Sequence, residues 1–263
     1  MVSKRLEDAF TQLQLDTEDL VLETATMLKD RYGKNADEVL DAIAAWWIRH
    51  GIESLTDAQS HMDELMSRLD EIRDPFTEEY IEEMTNLFAE VYAFNSRHAR
   101  QILEVEEDDE DYILLFSLLG LSSVSWAEDG LTYRERMVLR NTQFKNNIRQ
   151  IILRAAVSGI STKSLMTLVK DEIAKKKYLG TQIIVDESNH FANEAVRRIG
   201  ESEFSGYEIS EVLDGRTCSR CWDMHGRRFT WDELDVGLTA PQFHCSCRGR
   251  IIPVGKLVST RKI

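Results

Sequence analysis

The sequence predicts a mainly α-helical protein, a multi-helix body that carries a small α+β module at its C-terminal end. Only three prolines occur, at Pro75, Pro241 and Pro253, so long stretches are free of the residue that breaks helices. Apolar residues recur at helical spacing through most of the chain. From Tyr207 onward the pattern changes to short alternating runs with glycines, which predicts three short strands, one through Tyr207, Ile209 and Val212, one over 228–231 and one over 250–252.

Helix starts in the first part of the chain are predicted from capping residues. Asn35 with Glu38 has capping-box spacing, and Thr56 and Thr77 are plausible N-caps. The step Asp74–Pro75 should separate two helices. Helical apolar spacing follows each threonine, in Met62, Leu65, Met66, Leu69 and Ile72 and then in Tyr80, Met84, Leu87, Phe88 and Val91.

The middle of the chain is predicted to hold further helices after a linker. The acidic run Glu104–Asp111 should resist packing and form that linker, and the apolar stretch Tyr112–Leu121 should be a buried helix. Thr132 and Glu135 have capping-box spacing before a helix that Gly159 ends. Ser161 should start another helix closed by Lys175, Lys176 and Lys177, followed by a further helix over about 181–199.

Composition divides the net charge of −14 unevenly. Residues 1–112 hold 29 acidic and 10 basic side chains, whereas residues 113–210 carry +2 and residues 211–263 carry +3. We therefore predict three segments: 1–111, an acidic helical domain; 112–206, a helical region; and 207–263, a cysteine/histidine module. The acidic segment should be a solvated surface or a docking face for a basic partner. No apolar run suggests a membrane span or a signal peptide, so we expect a cytoplasmic chain without a membrane partner.

All four cysteines fall within one short C-terminal window. Cys218 and Cys221 form a Cys-x-x-Cys pair, and His244 with Cys247 forms a second pair about twenty residues later. Two tight pairs of soft ligands are what tetrahedral zinc requires. We expect a structural zinc ion that staples the module, because so small a segment has little core of its own. Cys245 is an alternate ligand that competes with His244.

Three other interpretations of the cysteines stay open. Cys218 and Cys221 could be a redox pair, although no thioredoxin-like strand and helix precede them. The zinc could be catalytic as in base deaminases, but His190 is not followed by the glutamate that those enzymes use. The cysteines could also be plain reduced core residues.

Basic residues near and before the cluster are weak candidates for nucleic-acid binding. These are Lys175, Lys176, Lys177, Arg248 and Arg250. Arginines beside the cluster, Arg216 included, would either pair with a carboxylate such as Asp214 or contact phosphates. The chain has no glycine-rich phosphate loop and no Gly-x-Ser-x-Gly motif, so we predict no catalytic residues, no small-molecule substrate and no enzyme activity.

The C-terminal motif resembles the phage head morphogenesis family, the Mu F-like minor head proteins. The residues that carry the resemblance are Asp214, Arg216, Thr217, Cys218, Cys221, Gly226, Pro241, His244, Cys247 and Arg248. Looser similarity extends upstream through Trp126–Gly130, Gly159–Ser161 and Asp186–Asn189, so that it covers roughly residues 113–255. This chain departs from the family pattern at Ala240, Cys245 and Gly249, where the family has proline, proline and cysteine.

The resemblance implies a minor structural protein of a tailed-phage or prophage head. It implies the portal and other procapsid proteins as partners, a role in head assembly, DNA packaging or DNA delivery, and possible contact with phage DNA. It places the protein in the host cytoplasm during assembly and then in the virion head. The rival hypothesis is a zinc-dependent enzyme that processes or modifies nucleic acid, and a cellular zinc-ribbon-like binding module is a third.

Overall fold

The computed structural model describes residues 2–72, 78–106 and 110–256. The protein is mainly helical with a small antiparallel sheet near its C-terminal end, so the predicted fold class is confirmed in that respect. The helices are α1 (Lys4–His50), α2 (Leu55–Glu71), α3 (Glu78–Leu103), α4 (Tyr112–Leu118), α5 (Tyr133–Ser158), α6 (Thr162–Glu203) and α7 (Ser219–Met224). The strands are β1 (Phe204–Ser210), β2 (Arg228–Thr230) and β3 (Arg250–Lys256).

Two predicted helix starts in the N-terminal part are wrong. Asn35 lies inside α1, since no proline interrupts that stretch and the helix continues through it. The N-cap of α2 is Ser54, not Thr56, and its hydroxyl accepts a hydrogen bond of 3.2 Å from the backbone nitrogen of Asp57. The predicted break at Asp74–Pro75 and the predicted cap Thr77 lie outside the described residues.

The boundary between α5 and α6 agrees with the prediction, but the end of α6 does not. Gly159 follows α5 with a φ of 60°, and the Ser161 hydroxyl accepts a hydrogen bond of 3.2 Å from the backbone nitrogen of Ser164. Thr132 directly precedes α5, as its capping-box spacing predicts. The prediction that Lys175–Lys177 closes a helix is wrong, because α6 runs on to Glu203. Cationic side chains are compatible with a helix interior, so three lysines alone do not end one.

Helix α4 corrects the prediction of a buried helix after the acidic run. Tyr112 and Phe116 point inward and are buried, whereas Ile113, Leu114 and Leu118 are exposed. The helix is seven residues long, so only one face can meet the core. The described parts of the run Glu104–Asp111 are not helical, as expected for a linker.

The sheet has the order β2-β1-β3, with both pairs antiparallel, and all three predicted strands are present. Gly206 in β1 lies opposite Thr230 of β2. A Cβ atom at this position would lie 2.3 Å from the carbonyl oxygen of Phe229, so only glycine fits there. Tyr207 and Ile209 of β1 are completely buried.

The chain forms two compact units that interleave along the sequence. The first comprises Met1–Thr24, Met84–Tyr133 and Gln182–Ile263, and its core gathers residues such as Phe10, Leu13, Val196, Tyr207 and Ile251. The second comprises Ala25–Glu83 and Arg134–Thr181, with a core that includes Ile43, Trp46, Leu65, Ile148 and Leu165. The three predicted segments 1–111, 112–206 and 207–263 stay a prediction. Among the described residues, none of the helices combines the length and apolarity needed to cross a membrane.

Candidate metal centre

Cys218 and Cys221 lie at the start of α7, which follows the sheet's central strand by a short loop. Cys218 is the N-cap of α7, and its Sγ accepts a hydrogen bond of 3.4 Å from the backbone nitrogen of Cys221. This hydrogen bond is the main reason that the pKa of the Cys218 thiol is lowered. The Cys-x-x-Cys spacing therefore brings both sulfurs to one end of the short helix, with Cys221 buried beneath it.

His244 and Cys247 bring the second pair from the turn that precedes β3. The Nε2 atom of His244 lies 3.2 Å from Sγ of Cys218 and 3.1 Å from Sγ of Cys221. Sγ of Cys247 lies 3.9 Å from Sγ of Cys221. The backbone nitrogen of Cys247 donates a hydrogen bond of 3.1 Å to the carbonyl of His244, which closes the turn. The structure thus brings Cys218, Cys221 and His244 into one group of converging donor atoms, whereas Cys247 converges with Cys221 and Glu211 in a second group.

One of these distances fits an edge of a tetrahedral zinc site. Zinc–sulfur bonds of about 2.3 Å give a tetrahedron whose sulfur–sulfur edge is about 3.8 Å. The separation of 3.9 Å between Cys221 and Cys247 matches that edge. All four cysteines lie in the described part of the chain, and each has a free thiol and not a disulfide. Zinc itself stays a prediction, and when bound it would supply the cross-link between the two pairs.

The imidazole of His244 has the orientation that a metal ligand needs. Its Nδ1 atom lies 2.8 Å from the carbonyl oxygen of Cys245, and since a carbonyl can only accept, Nδ1 carries the proton. The Nε2 atom between the two sulfurs then keeps its lone pair for a metal. Cys245, the predicted alternate ligand, is exposed and belongs to neither group of converging donor atoms at this centre. The geometry favours His244.

The thiols of Cys221 and Cys247 are in contact, and each changes the pKa of the other. A hydrogen bond between the two sulfurs lowers the pKa of the Cys247 thiol and raises the pKa of the Cys221 thiol. Cys247 is therefore the buried sulfur most ready to be a thiolate, the form that binds a metal.

Glu211 is a residue of this centre that the sequence analysis missed. It is 5% exposed, and with Cys221 and Cys247 it forms a second group of converging donor atoms. Burial, helped by the nearby charge of Cys247, raises the pKa of its carboxyl to about 8. Strand alternation does not single it out, because every residue from Gly206 to Glu211 is buried.

The side chain of Glu211 leaves no space for a side chain at position 249. A Cβ atom at position 249 would lie 2.3 Å from Oε1 of Glu211 and 2.8 Å from Cγ of Pro241. The family pattern has a cysteine at this position, and here the glutamate occupies the space that its side chain would need.

Asp214 joins the first pair of ligands to the second. Its Oδ1 atom accepts hydrogen bonds from the backbone nitrogen of Arg216 at 2.8 Å and from the Arg248 guanidinium at 2.6 Å. The hydrogen bond from Arg248 is the main reason that the pKa of this carboxyl lies well below its usual range. Thr217 steadies the same loop by donating a hydrogen bond of 2.5 Å to the carbonyl of Val212. Arg216 and Arg248 therefore have the predicted carboxylate partner.

Polar side chains on α6 form hydrogen bonds with the backbone around the second ligand pair. Asn189 donates a hydrogen bond of 2.9 Å to the carbonyl of Cys247, and Asn193 donates one of 3.0 Å to the carbonyl of Gly249. Asn193 also accepts a hydrogen bond of 3.0 Å from the backbone nitrogen of Ile251. Asp186 accepts one of 2.5 Å from the backbone nitrogen of Ser246. Residues 186, 189 and 193 lie on one helical face, so the spacing was a usable signal.

The predicted nucleic-acid contacts are not all at the surface. Arg250 is 2% exposed, its Nε atom donates to the side-chain oxygen of Gln14, and burial lowers its pKa to about 9. Lys176 is buried as well, with its Nζ atom 3.1 Å from Oδ1 of Asn141 and above the ring of Phe144. Neither side chain can reach a phosphate in this conformation.

Lys175 is exposed, and Lys177 and Arg248 are partly exposed. Nucleic-acid binding through these three residues stays a prediction.

The fold and this centre define a small cysteine/histidine module that polar side chains of one long helix, α6, hold in place. Residues 146–252 match the family described as phage Mu protein F like protein. This match confirms the resemblance for less than half of the chain, from the second half of α5 to the first residues of β3. The upstream similarity over 113–145 stays a prediction. Neither the curated proteins nor the solved structures contain a match to this chain.

Proposed function

We propose that this protein is a minor structural component of a tailed-phage or prophage head, without enzyme activity. The observation that carries the proposal is the match of residues 146–252 to the phage Mu protein F-like family. The matched stretch includes both predicted ligand pairs and the α6 side chains that form hydrogen bonds with the backbone around the second pair.

The metal centre suits a structural role in this proposal. Three of the four predicted ligands converge and the fourth, Cys247, lies 3.9 Å from Cys221, whereas a structural zinc site is closed by all four. The strands share the core of the first unit, where Tyr207 and Ile251 pack in the same cluster as Phe10 and Val196. A metal cross-link would add to this packing by joining α7 to the turn before β3.

The partners in this proposal are the portal protein and other procapsid proteins. The balance of −19 over residues 1–112 supports docking of that part against a basic protein surface. The remainder of the chain carries +5 and would tolerate nearby DNA during packaging or delivery. In this proposal the protein is carried in the virion head after assembly in the host.

Mass spectrometry of density-purified phage particles from the strain that encodes this chain tests the proposal. The chain should co-purify with the portal and major capsid proteins at a few copies per head. Particles from the same strain with the gene deleted provide the matched control and should package DNA or infect less well. Particles that never contain the chain and are unaffected by its deletion would overturn the proposal.

Glu211 is the observation that favours the rival function, a zinc-dependent enzyme acting on nucleic acid. A carboxyl whose pKa is raised to about 8 beside metal ligands resembles a general acid. An enzyme would need an open zinc position that holds water, whereas a structural centre has none. Cobalt substitution distinguishes the two, because four-ligand thiolate centres and open, water-bearing centres differ in their visible absorption.

A further inference from the structure

We propose that His50, His61 and Glu64 form a second metal site, specific for zinc or a similar borderline divalent ion. The site lies within the unit made of Ala25–Glu83 and Arg134–Thr181, and it shares no residue with the cysteine/histidine centre. It does not depend on the proposed function.

The three residues come together through a tight connection between two helices. His50 is the last residue of α1, and Gly51 turns the chain with a φ of 53° before α2 begins at Leu55. His61 and Glu64 are three positions apart on α2, so they lie on one face of that helix. The short interval lies between His61 and Glu64 and the longer one between His50 and His61, a combination that many zinc sites have.

The donor atoms of these residues converge. Nε2 of His50 lies 3.0 Å from Oε2 of Glu64, and the rings of His50 and His61 are stacked with centroids 3.9 Å apart. One donor atom from each of the three side chains lies within 4.8 Å of the others. Two imidazoles and one carboxylate are a donor set that zinc, nickel and copper accept, whereas magnesium and calcium prefer oxygen alone.

The environment of His50 is what points to a cation. Its side chain is only 15% exposed, and Nε2 contacts Oε2 of Glu64 at 3.0 Å in a geometry that is not a hydrogen bond. A metal ion held by both side chains would use the lone pair of Nε2 and the charge of the carboxylate together.

Neighbouring side chains would orient the ligands. Arg49 lies 3.3 Å from the other carboxylate oxygen of Glu64, and the Trp46 indole donates a hydrogen bond of 3.0 Å to the carbonyl of His61. The imidazole planes are 22° from parallel, so a shared ion requires one ring to turn. His61 is partly exposed and is the ring that turns in our proposal. Three protein ligands leave a fourth position for water.

Cobalt titration of the full-length chain tests the site. Cobalt bound by the cysteine centre gives thiolate-to-metal charge-transfer absorption, whereas cobalt bound by imidazole and carboxylate gives only weak d–d bands. We expect one equivalent of each kind. His61→Gln and Glu64→Gln should each weaken the second kind by at least about tenfold, since even outer-shell changes cost 10–100-fold in metal affinity.

His98→Gln is the matched control, because His98 is a partly buried histidine on α3 outside the cluster, and it should leave both equivalents intact. The double change Cys218→Ser with Cys221→Ser should abolish only the charge-transfer absorption. Circular dichroism verifies that each variant is folded. If all bound cobalt shows thiolate absorption, or if folded His61→Gln binds cobalt as the wild type does, the proposed second site does not exist.

Discussion

Arg248 donates a hydrogen bond of 2.6 Å to Asp214, and this contact ties the loop before Cys218 to the turn after Cys247. Arg248 directly follows Cys247 and Asp214 lies four residues before Cys218, so the ion pair links the two chain segments that carry the ligand pairs. Asp214 is accordingly an orienting residue of the candidate zinc centre and not a ligand.

Asp214→Asn should weaken zinc binding by up to about tenfold, the lower end of the range for an outer-shell partner, because Asp214 acts through Arg248 and contacts no ligand itself. The amide keeps the shape of the side chain but loses the charge that holds Arg248. A chelator competition assay measures the zinc affinity. Asp223→Asn, an exposed aspartate on α7, is the control and should bind zinc as the wild type does. Equal affinity in both variants would contradict the orienting role.

Cys218→Ser combined with Cys221→Ser should destabilise the C-terminal module while the helical body survives. The two changes remove two of four metal ligands and with them the cross-link. Limited proteolysis should cut within residues 207–255 in the double variant and spare this region in the wild type. Cys245→Ser changes an exposed cysteine that lies outside the ligand set and should leave the protection unchanged. Full protection in the double variant would refute the structural role.

Asn193→Ala should lower the free energy of unfolding by about 1–3 kcal/mol, because it leaves buried backbone groups of Gly249 and Ile251 without their partner. Denaturant unfolding followed by circular dichroism provides the measurement. Asn146→Ala makes the same change at an exposed position of α5 and should alter stability by less than about 0.5 kcal/mol. Similar losses of unfolding free energy in both variants would show that the hydrogen bonds of Asn193 do not stabilise the fold more than an exposed asparagine does.

Gly206→Ala should destabilise the sheet by about 1–3 kcal/mol, since the added methyl group would press on the carbonyl of Phe229. Gly215→Ala is the matched control, because a Cβ atom there would meet nothing within 4 Å. Thermal unfolding of the two variants should show a lower midpoint for Gly206→Ala only. A midpoint equal to that of the control would show that β1 and β2 can separate without cost.

Glu211 should make the metal-free protein less stable as the pH rises. Its folded-state pKa is raised to about 8 from an ordinary value near 4.5. The folded protein favours the neutral carboxyl of Glu211. Its contribution to the free energy of unfolding is therefore complete below the unfolded-state pKa and is lost as the pH rises through about 8.

Glu211→Gln keeps a neutral side chain at every pH and should remove this loss. Denaturant unfolding of metal-free samples at pH 5 and pH 9 compares the two proteins. The same decline with pH in Glu211→Gln and in the wild type would show that another group causes it.

The helical class, the three strands and the two ligand pairs could be predicted because each depends on residues that are close in sequence. Apolar spacing identified α2 and α3, Gly159 and Ser161 marked the boundary of α5 and α6, and the spacing of Cys218, Cys221, His244 and Cys247 indicated a four-ligand centre. Local signals also misled, since Asn35 and the lysines at 175–177 are compatible with helix ends but lie inside α1 and α6.

Tertiary structure alone decided which distant residues meet. The contact between Arg250 and Gln14 joins residues 236 positions apart, and it buries an arginine that the sequence placed among the candidates for nucleic-acid binding. The approach of Asn189 to Cys247 and the convergence of His50 on Glu64 depend on how whole helices pack. Sequence by itself determined which cysteine and histidine side chains are candidate ligands and most of the helices and strands. Helix and strand propensity and residue spacing depend only on residues that are close along the chain. The hydrogen-bond partners and the burial of each candidate ligand were decided by packing, because remote segments bury apolar surface only when they come together in the folded protein.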